Sequence, residues 1–303
     1  MPLARAAACV LAVAIVAPGA ADGQHDKPLP VPDALYRAVR ENLLKAEGVA
    51  HLYSFKERRT EVHTNPFGKI GTGGTQLVAV YPSPVRQLTY RRLLERNGVA
   101  VPAADLAEQD RRYRGRVAEV QQEIATRTPA DQHRQRANDT SRRERRQRRV
   151  EDVVEVLQFT VEGRTVYNGV PAIVITFTPR PGAKPVTREG RTAVNFQGKV
   201  WIDEAVSEVM RVEATSIGDI SFGLGIVARV GKGAKATMTR KAVADGVWMP
   251  TQVTLDGRGR AALIRTLVID FVVDWFDYRR LPEDSVTPFL DARIERESGS
   301  RPQ

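Results

Sequence analysis

The sequence predicts an α+β fold: a strongly curved antiparallel sheet, in effect a half-open barrel, with an N-terminal helix and an inserted helical hairpin. Three observations predict it. From Phe159 to Tyr278, short segments with alternating apolar residues follow one another. Turn sequences separate them at Asn168-Gly169, Asp203-Glu204, Gly218-Asp219, Gly231-Lys232-Gly233, Asp245-Gly246 and Asp256-Gly257. These connections are too short for crossovers, so neighbours in sequence should pair antiparallel. Two other stretches, 32–48 and 102–157, carry apolar residues at helical spacing instead.

In the first 21 residues, one cation (Arg5) precedes an apolar run from Ala6 to Val16, and small residues follow. Gly19 and Ala21 suit cleavage before Asp22, and Ala17 and Gly19 suit cleavage before Ala20. This is the layout of a secretory signal peptide, so the expected location is across the inner membrane, in the periplasm. The run is short for a membrane span, and no later stretch approaches about 20 apolar residues. Cys9, the single cysteine, lies inside the run, so the mature chain is expected to carry no disulfide and no cysteine nucleophile. With 42% hydrophobic residues in 303, a core can hold the fold without one.

Pro32 and Asp33 open the first helix, Leu35, Val39 and Leu43 form its apolar stripe, and Gly48 ends it. HLYSFKERRTEVH, from His51, alternates as a strand. The glycine-rich FGKIGTGGTQ then leads into strands at 76–81 and 85–95. Over 102–126, Leu106, Tyr113, Val117, Val120 and Ile124 make one narrow helical seam, which Pro129 breaks. A second helix over 130–157 has no large apolar residue before Val150, Val153, Val154 and Leu157. The pair is expected to form a hairpin docked at its base and exposed at its tip. In the meander, Val194, Phe196, Val200 and Ile202 share one strand face, and Ile220, Phe222, Leu224 and Ile226 share another. Leu263, Leu267, Ile269, Phe271, Val273 and Trp275 line a third. The expected organisation is a signal peptide over 1–21, a single domain over 22–281 with its helical insert at 102–157, and a flexible tail over 282–303.

No catalytic constellation stands out, so no enzyme activity and no cofactor are expected. His25, His51, His63 and His133 stand apart, without the spacing of a helical zinc site, and no metal is expected. GKIGTGG lacks the lysine-serine ending of a phosphate loop, and no helix follows it. Asp270 and Asp274 share a strand face that Asp277 leaves, which is the pattern of a solvated edge.

Charge is concentrated. From Arg111 to Arg149 there are thirteen arginines, no lysine and five acids, so eight of the ten net positive charges fall in 39 residues. Within SRRERRQRRV, Arg142, Arg143, Arg145, Arg146, Arg148 and Arg149 surround a lone Glu144. Such a run suggests nucleic acid, but no aromatic residue lies between Tyr113 and Phe159 to stack a base, and an exported protein does not meet cytoplasmic RNA. Nucleic acid is therefore not an expected partner. The run is read as a solvated tip, or as the contact for an anionic membrane surface or an acidic envelope protein.

FTVEGRTVYNGVPAIVITFTPRPG followed by GKVWIDEAVSEVMRVEA resembles the envelope lipoprotein-carrier superfamily, the LolA/LolB-like fold. The G-x-V-W-I-D, turn, V-M-R-V-E pattern at 198–213 is its most specific part. The resemblance covers about 33–81 and 150–280 and is closest to a bacterial branch with a charged helical segment. It implies a half-open barrel whose apolar concave face accepts acyl chains. No ligand-contacting residue of the carriers maps onto this chain, and the helical insert is foreign to the basic pattern. The expected function is non-enzymatic binding of a lipid or lipidated protein, with Phe196, Val200, Ile202, Phe222, Leu224, Leu267, Ile269, Phe271 and Trp275 lining the hollow. The alternative is an envelope scaffold whose basic helical hairpin makes the functional contact.

Overall fold

The computed structural model describes residues 28–65, 68–69, 74–222, 228–261, 265–283 and 285–291. Helix α1 (Pro32–Val49) has its proline and Asp33 in the first turn, where a missing N–H and a negative charge both suit a helix start. The first strands are β1 (Tyr53–Asn65), β2 (Gly68–Lys69), β3 (Gly74–Tyr81), β4 (Tyr90–Arg96) and β5 (Val99–Ala100). Helices α2 (Ala103–Ala125) and α3 (Pro129–Val156) follow, then β6 (Leu157–Tyr167), β7 (Val170–Pro179) and α4 (Arg188–Ala193). The chain continues through β8 (Phe196–Asp203), β9 (Val209–Ser216), β10 (Ile220–Phe222), β11 (Ala228–Val230), β12 (Lys235–Ala244), β13 (Val247–Ala261) and β14 (Arg265–Arg280).

The main path of the sheet is β5-β4-β3-β1-β14-β13-β12-β9-β8-β7-β6, with β2, β10 and β11 paired off it. Pairing is antiparallel throughout the described ladders. The sheet is curved and does not close, as the sequence predicts. Short turns set this order. At Asn168-Gly169 both residues have positive φ (49° and 79°), the conformation a two-residue hairpin demands.

Several local expectations change. Asp256-Gly257 is no turn. It lies inside the fifteen-residue β13, with Asp256 opposite Asp270 and Gly257 opposite Ile269. The 85–95 segment begins with a 3₁₀ turn at Arg86–Leu88, and β4 starts only at Tyr90. Val194 is the C-cap of α4 rather than a strand residue. The segment after Leu281 is not loose as far as Asp291: Phe289 is 3% exposed and packs with Leu88, Tyr90 and Tyr113.

The helical insert also differs from the expected hairpin. It carries the chain from one edge of the sheet, β5, to the other, β6, and its two helices bury their apolar residues in separate clusters. On α2, Tyr113, Val117 and Val120 pack on β4. On α3, Val153 and Val156 join the core formed by α1 and β6–β9. Directly opposed residues of an antiparallel pair share a face, so the register assigns each helix to a side. Tyr81 and Tyr90, which meet α2, lie on one face. Ile175, Val200 and Val212, which meet α1, lie on the other. The connecting turn at 126–128 is the tip. The arginine run starts fourteen residues further on, roughly 20 Å along the helix, at the base. The expectation of an arginine-rich tip is therefore corrected.

Candidate functional site

The register defines two rows across the α1 face. One runs Val161, Ile175, Val200, Val212, Met238, Val253, Val273 and then Arg59, seven apolar residues before the first charge. The neighbouring row runs Phe159, Phe177, Gly198, Ala214, Ala236, Leu255, Phe271. Its middle is small and its ends are large. Gly198, Ala214 and Ala236 make a floor between a wall of Phe159 and Phe177 and a wall of Leu255 and Phe271. Gly198 keeps that floor low, because a Cβ there would stand 1.8 Å from the Glu213 carbonyl oxygen of the adjacent strand. On the opposite face the row Gln197, Thr215, Lys235, Asp256, Asp270 is polar, while Val174, Trp201 and Val272 stand in other rows of that face. The α1 face is thus apolar along two neighbouring rows, and the second has small residues between large ones, the pattern of a trough.

Helix α1 covers only part of this face. Leu35, Tyr36, Val39 and Leu43 belong to the core of Ile173, Ile175, Phe177, Val200 and Ile202, which also takes in Phe159 and Ala214, with the Tyr36 and Phe159 ring centroids 5.6 Å apart. Ala236, Met238, Val253, Leu255, Phe271 and Trp275 stay half-buried. They are apolar positions in the middle of a sheet.

Polar groups bound the trough. The Arg59 guanidinium lies 4.9 Å from the Phe271 ring centroid. Trp275 donates its indole N–H to Glu57 at 3.1 Å, and Glu57 also holds Arg91 at 2.6 Å. Arg240 and Glu208 form a buried ion pair at 2.9 Å, with 5% and 6% of their side chains exposed, and Arg240 also donates to the Trp248 carbonyl. Burial is the largest influence on both. It raises the Glu208 carboxyl above its ordinary range although Arg240 pulls it down. It lowers Arg240 although Glu208 opposes that.

The predicted lining residues divide three ways. Phe271 and Trp275 stand half-buried on the open part of the face. Val200 (8% exposed) and Ile202 (0%) belong to the core under α1, with Phe196 packed at its margin. Leu224 lies outside the described residues, and Phe222, Leu267 and Ile269 are described only as strand positions. Sequence reasoning missed Ala214, Ala236, Met238, Val253 and Leu255. The signal was present in KATMTRK, where Ala236 and Met238 alternate with Thr237 and Thr239.

The arginine run is largely engaged with the chain itself. Arg146 and Arg149 approach Glu47 of α1 at 3.7 and 3.9 Å, Arg149 reaches Glu189 of α4 at 3.6 Å, and Arg148 reaches Glu155 at 3.2 Å. Arg143 and Arg145 are exposed, and Arg142 is described only as a helix position. Beside them, Arg40 of α1 meets Glu151 at 2.5 Å. The actual tip is nearly neutral, with Glu123–Arg127 and Asp131–Arg134 pairs. Among the described residues no group of three or more histidine, cysteine or acidic side chains could hold a metal. No described helix is long and apolar enough to cross a membrane.

No family model matches the sequence, and no curated protein matches it. Among solved structures, the chain is similar to an outer membrane lipoprotein-sorting protein domain from Vibrio parahaemolyticus, at 11% identity and a TM-score of 0.34, over 86% of this chain and 99% of that one. It is similar to a DUF1329 family protein from Desulfovibrio piger at 12% identity and a TM-score of 0.30, over 86% and 98%. It is also similar to a LolA superfamily protein from Nitrosomonas europaea at 11% identity and 0.28, over 83% and 98%. Likenesses this distant say nothing of ligand or partner.

Proposed function

We propose that this protein is a non-enzymatic, periplasmic carrier that holds an acyl chain of a lipid or lipidated protein in the trough of the α1 face. The observation that carries the reading is the row Phe159, Phe177, Gly198, Ala214, Ala236, Leu255, Phe271: small residues between large apolar ones, with the Phe159–Phe177 end packed in the core beside α1 and the Ala236–Leu255–Phe271 end half-buried beyond it. An acyl chain laid there gains about 0.8 kcal/mol for each methylene removed from water. The leader-like first 21 residues support export. In the arginine run, Arg146, Arg148 and Arg149 meet acids of the same chain, while Arg143 and Arg145 are exposed.

Displacement of a fluorescent fatty acid tests the trough. Ala236→Phe, which fills the floor, and Leu255→Asp, which charges the wall, should each weaken probe binding at least tenfold. Thr215→Phe, in the polar row of the opposite face, should leave it unchanged. Melting curves report whether each variant keeps the fold. Equal probe affinity in all four proteins would sink the proposal.

A further inference from the structure

The α4 side of the molecule carries a feature the trough does not use. Val186, just ahead of α4, is 56% exposed, between exposed Lys184 and Arg188. Its loop is held firmly. The Asp152 side chain, on a residue 1% exposed, accepts from the Val186 N–H at 3.1 Å, the Thr187 N–H at 2.7 Å and the Thr187 hydroxyl at 2.5 Å. Gly190 makes room for that carboxylate, because a Cβ there would stand 2.1 Å from Oδ2. Arg191 donates to the Val186 carbonyl at 3.1 Å. The loop therefore presents an apolar side chain to solvent from a pinned backbone.

The surroundings of Val186 are basic. Arg145, Arg149 and Asp152 follow one another at helical spacing, so they share a face of α3, and Arg149 reaches Glu189 of α4. The arginine run thus flanks the same surface as Val186. Residues 142–149 and 184–191 together hold nine cations against two acids. Internal pairing occupies Arg146, Arg148 and Arg149, while Arg143, Arg145, Lys184 and Arg188 remain exposed. Cations beside a projecting apolar side chain match a bilayer of anionic lipid: phosphates meet the cations, and the apolar group enters the acyl boundary. An acidic protein would satisfy the cations and leave the pinned valine without a role.

We propose that this face, formed by the arginine half of α3 and the Val186 loop, docks the protein on an anionic phospholipid bilayer. The inference goes beyond the trough and does not depend on it.

Vesicle co-sedimentation of the exported, leader-free protein tests it. Binding should occur to phosphatidylglycerol mixed with phosphatidylcholine, not to phosphatidylcholine alone, and should weaken as salt rises. Arg145→Ala and Lys184→Ala should each lower the partition coefficient roughly fivefold and reduce its salt dependence. Val186→Ser should weaken binding without changing the salt dependence. Fatty-acid probe binding should be normal in all three, which separates failure here from failure of the trough. Equal binding to both vesicle types, or variants that bind like the wild type, overturns the proposal. Capture of an acidic protein without vesicle binding overturns it in favour of a protein partner.

Discussion

Asp152 shows how one carboxylate can fix a surface. It sits on α3, 1% exposed, and ties down the loop before α4 through two backbone N–H groups and a hydroxyl. Burial alone would raise its pKa, but the bonds from Thr187 and Val186 outweigh it and hold the group below the ordinary aspartate range. Because the folded value is the lower one, the stabilisation is full above the unfolded pKa and is lost as pH falls through the folded one. Asp152→Ala should cost about 3 kcal/mol in urea unfolding at neutral pH, with a smaller difference in strong acid. The Glu208–Arg240 pair behaves oppositely. Glu208 has a raised folded pKa, so its ionisation weakens the fold as pH rises from the unfolded value through the folded one. Arg240→Met strands a buried carboxylate and should cost about 3–5 kcal/mol, while Arg240→Met with Glu208→Leu should recover most of the loss. Equal instability of the single and double variants, read by urea unfolding, would contradict this account. Neither Glu208 nor Arg240 advertised itself in the sequence, since the charge of each could as well have pointed to water.

At the scale of elements, α2 is the best-documented helix. Tyr113 is fully buried, stacks on Tyr90 at 4.2 Å between centroids and donates to the Leu88 carbonyl at 2.9 Å. Burial pushes its hydroxyl pKa up to about 12. Phe289 packs edge-on against both rings. Gln109 bonds both the N–H and the carbonyl of Leu93, blunting the part of β4 that β5 leaves open. Tyr113→Ala should therefore cost about 3–5 kcal/mol in chemical denaturation. A loss below 1 kcal/mol would mean that α2 does not dock as described.

The seam Tyr113, Val117, Val120 was legible because helical spacing is a local signal. Its neighbour Asp110, 2% exposed and held by Tyr90 and Arg92, was not, although it lies three residues before Tyr113 on the same face. Ile124 fits the spacing yet is 37% exposed. The placement of the arginine run at the base was illegible for a related reason. Periodicity orients a helix about its axis but does not say which end meets the body.

At the scale of the whole molecule, the sheet is apolar on the α1 side over β6–β9 and apolar on the other side at β3 and β4 under α2; that each strand has a buried face is written in period-2 alternation. What alternation cannot supply is register. The trough exists only because Gly198, Ala214 and Ala236, from three different strands, fall in one row. Phe271 and Trp275 were picked out by pattern, while Val200 and Ile202 obeyed the same pattern and lie under α1. The difference lies in where a helix from the other end of the chain comes to rest, a long-range fact with no local signature.

Native mass spectrometry of the purified protein after exposure to a bacterial lipid extract tests the central claim most directly. The account predicts wild-type protein carrying a defined acyl-lipid mass and Ala236→Phe protein carrying none. Bare wild-type chain, or the same lipid mass on both proteins, would contradict it.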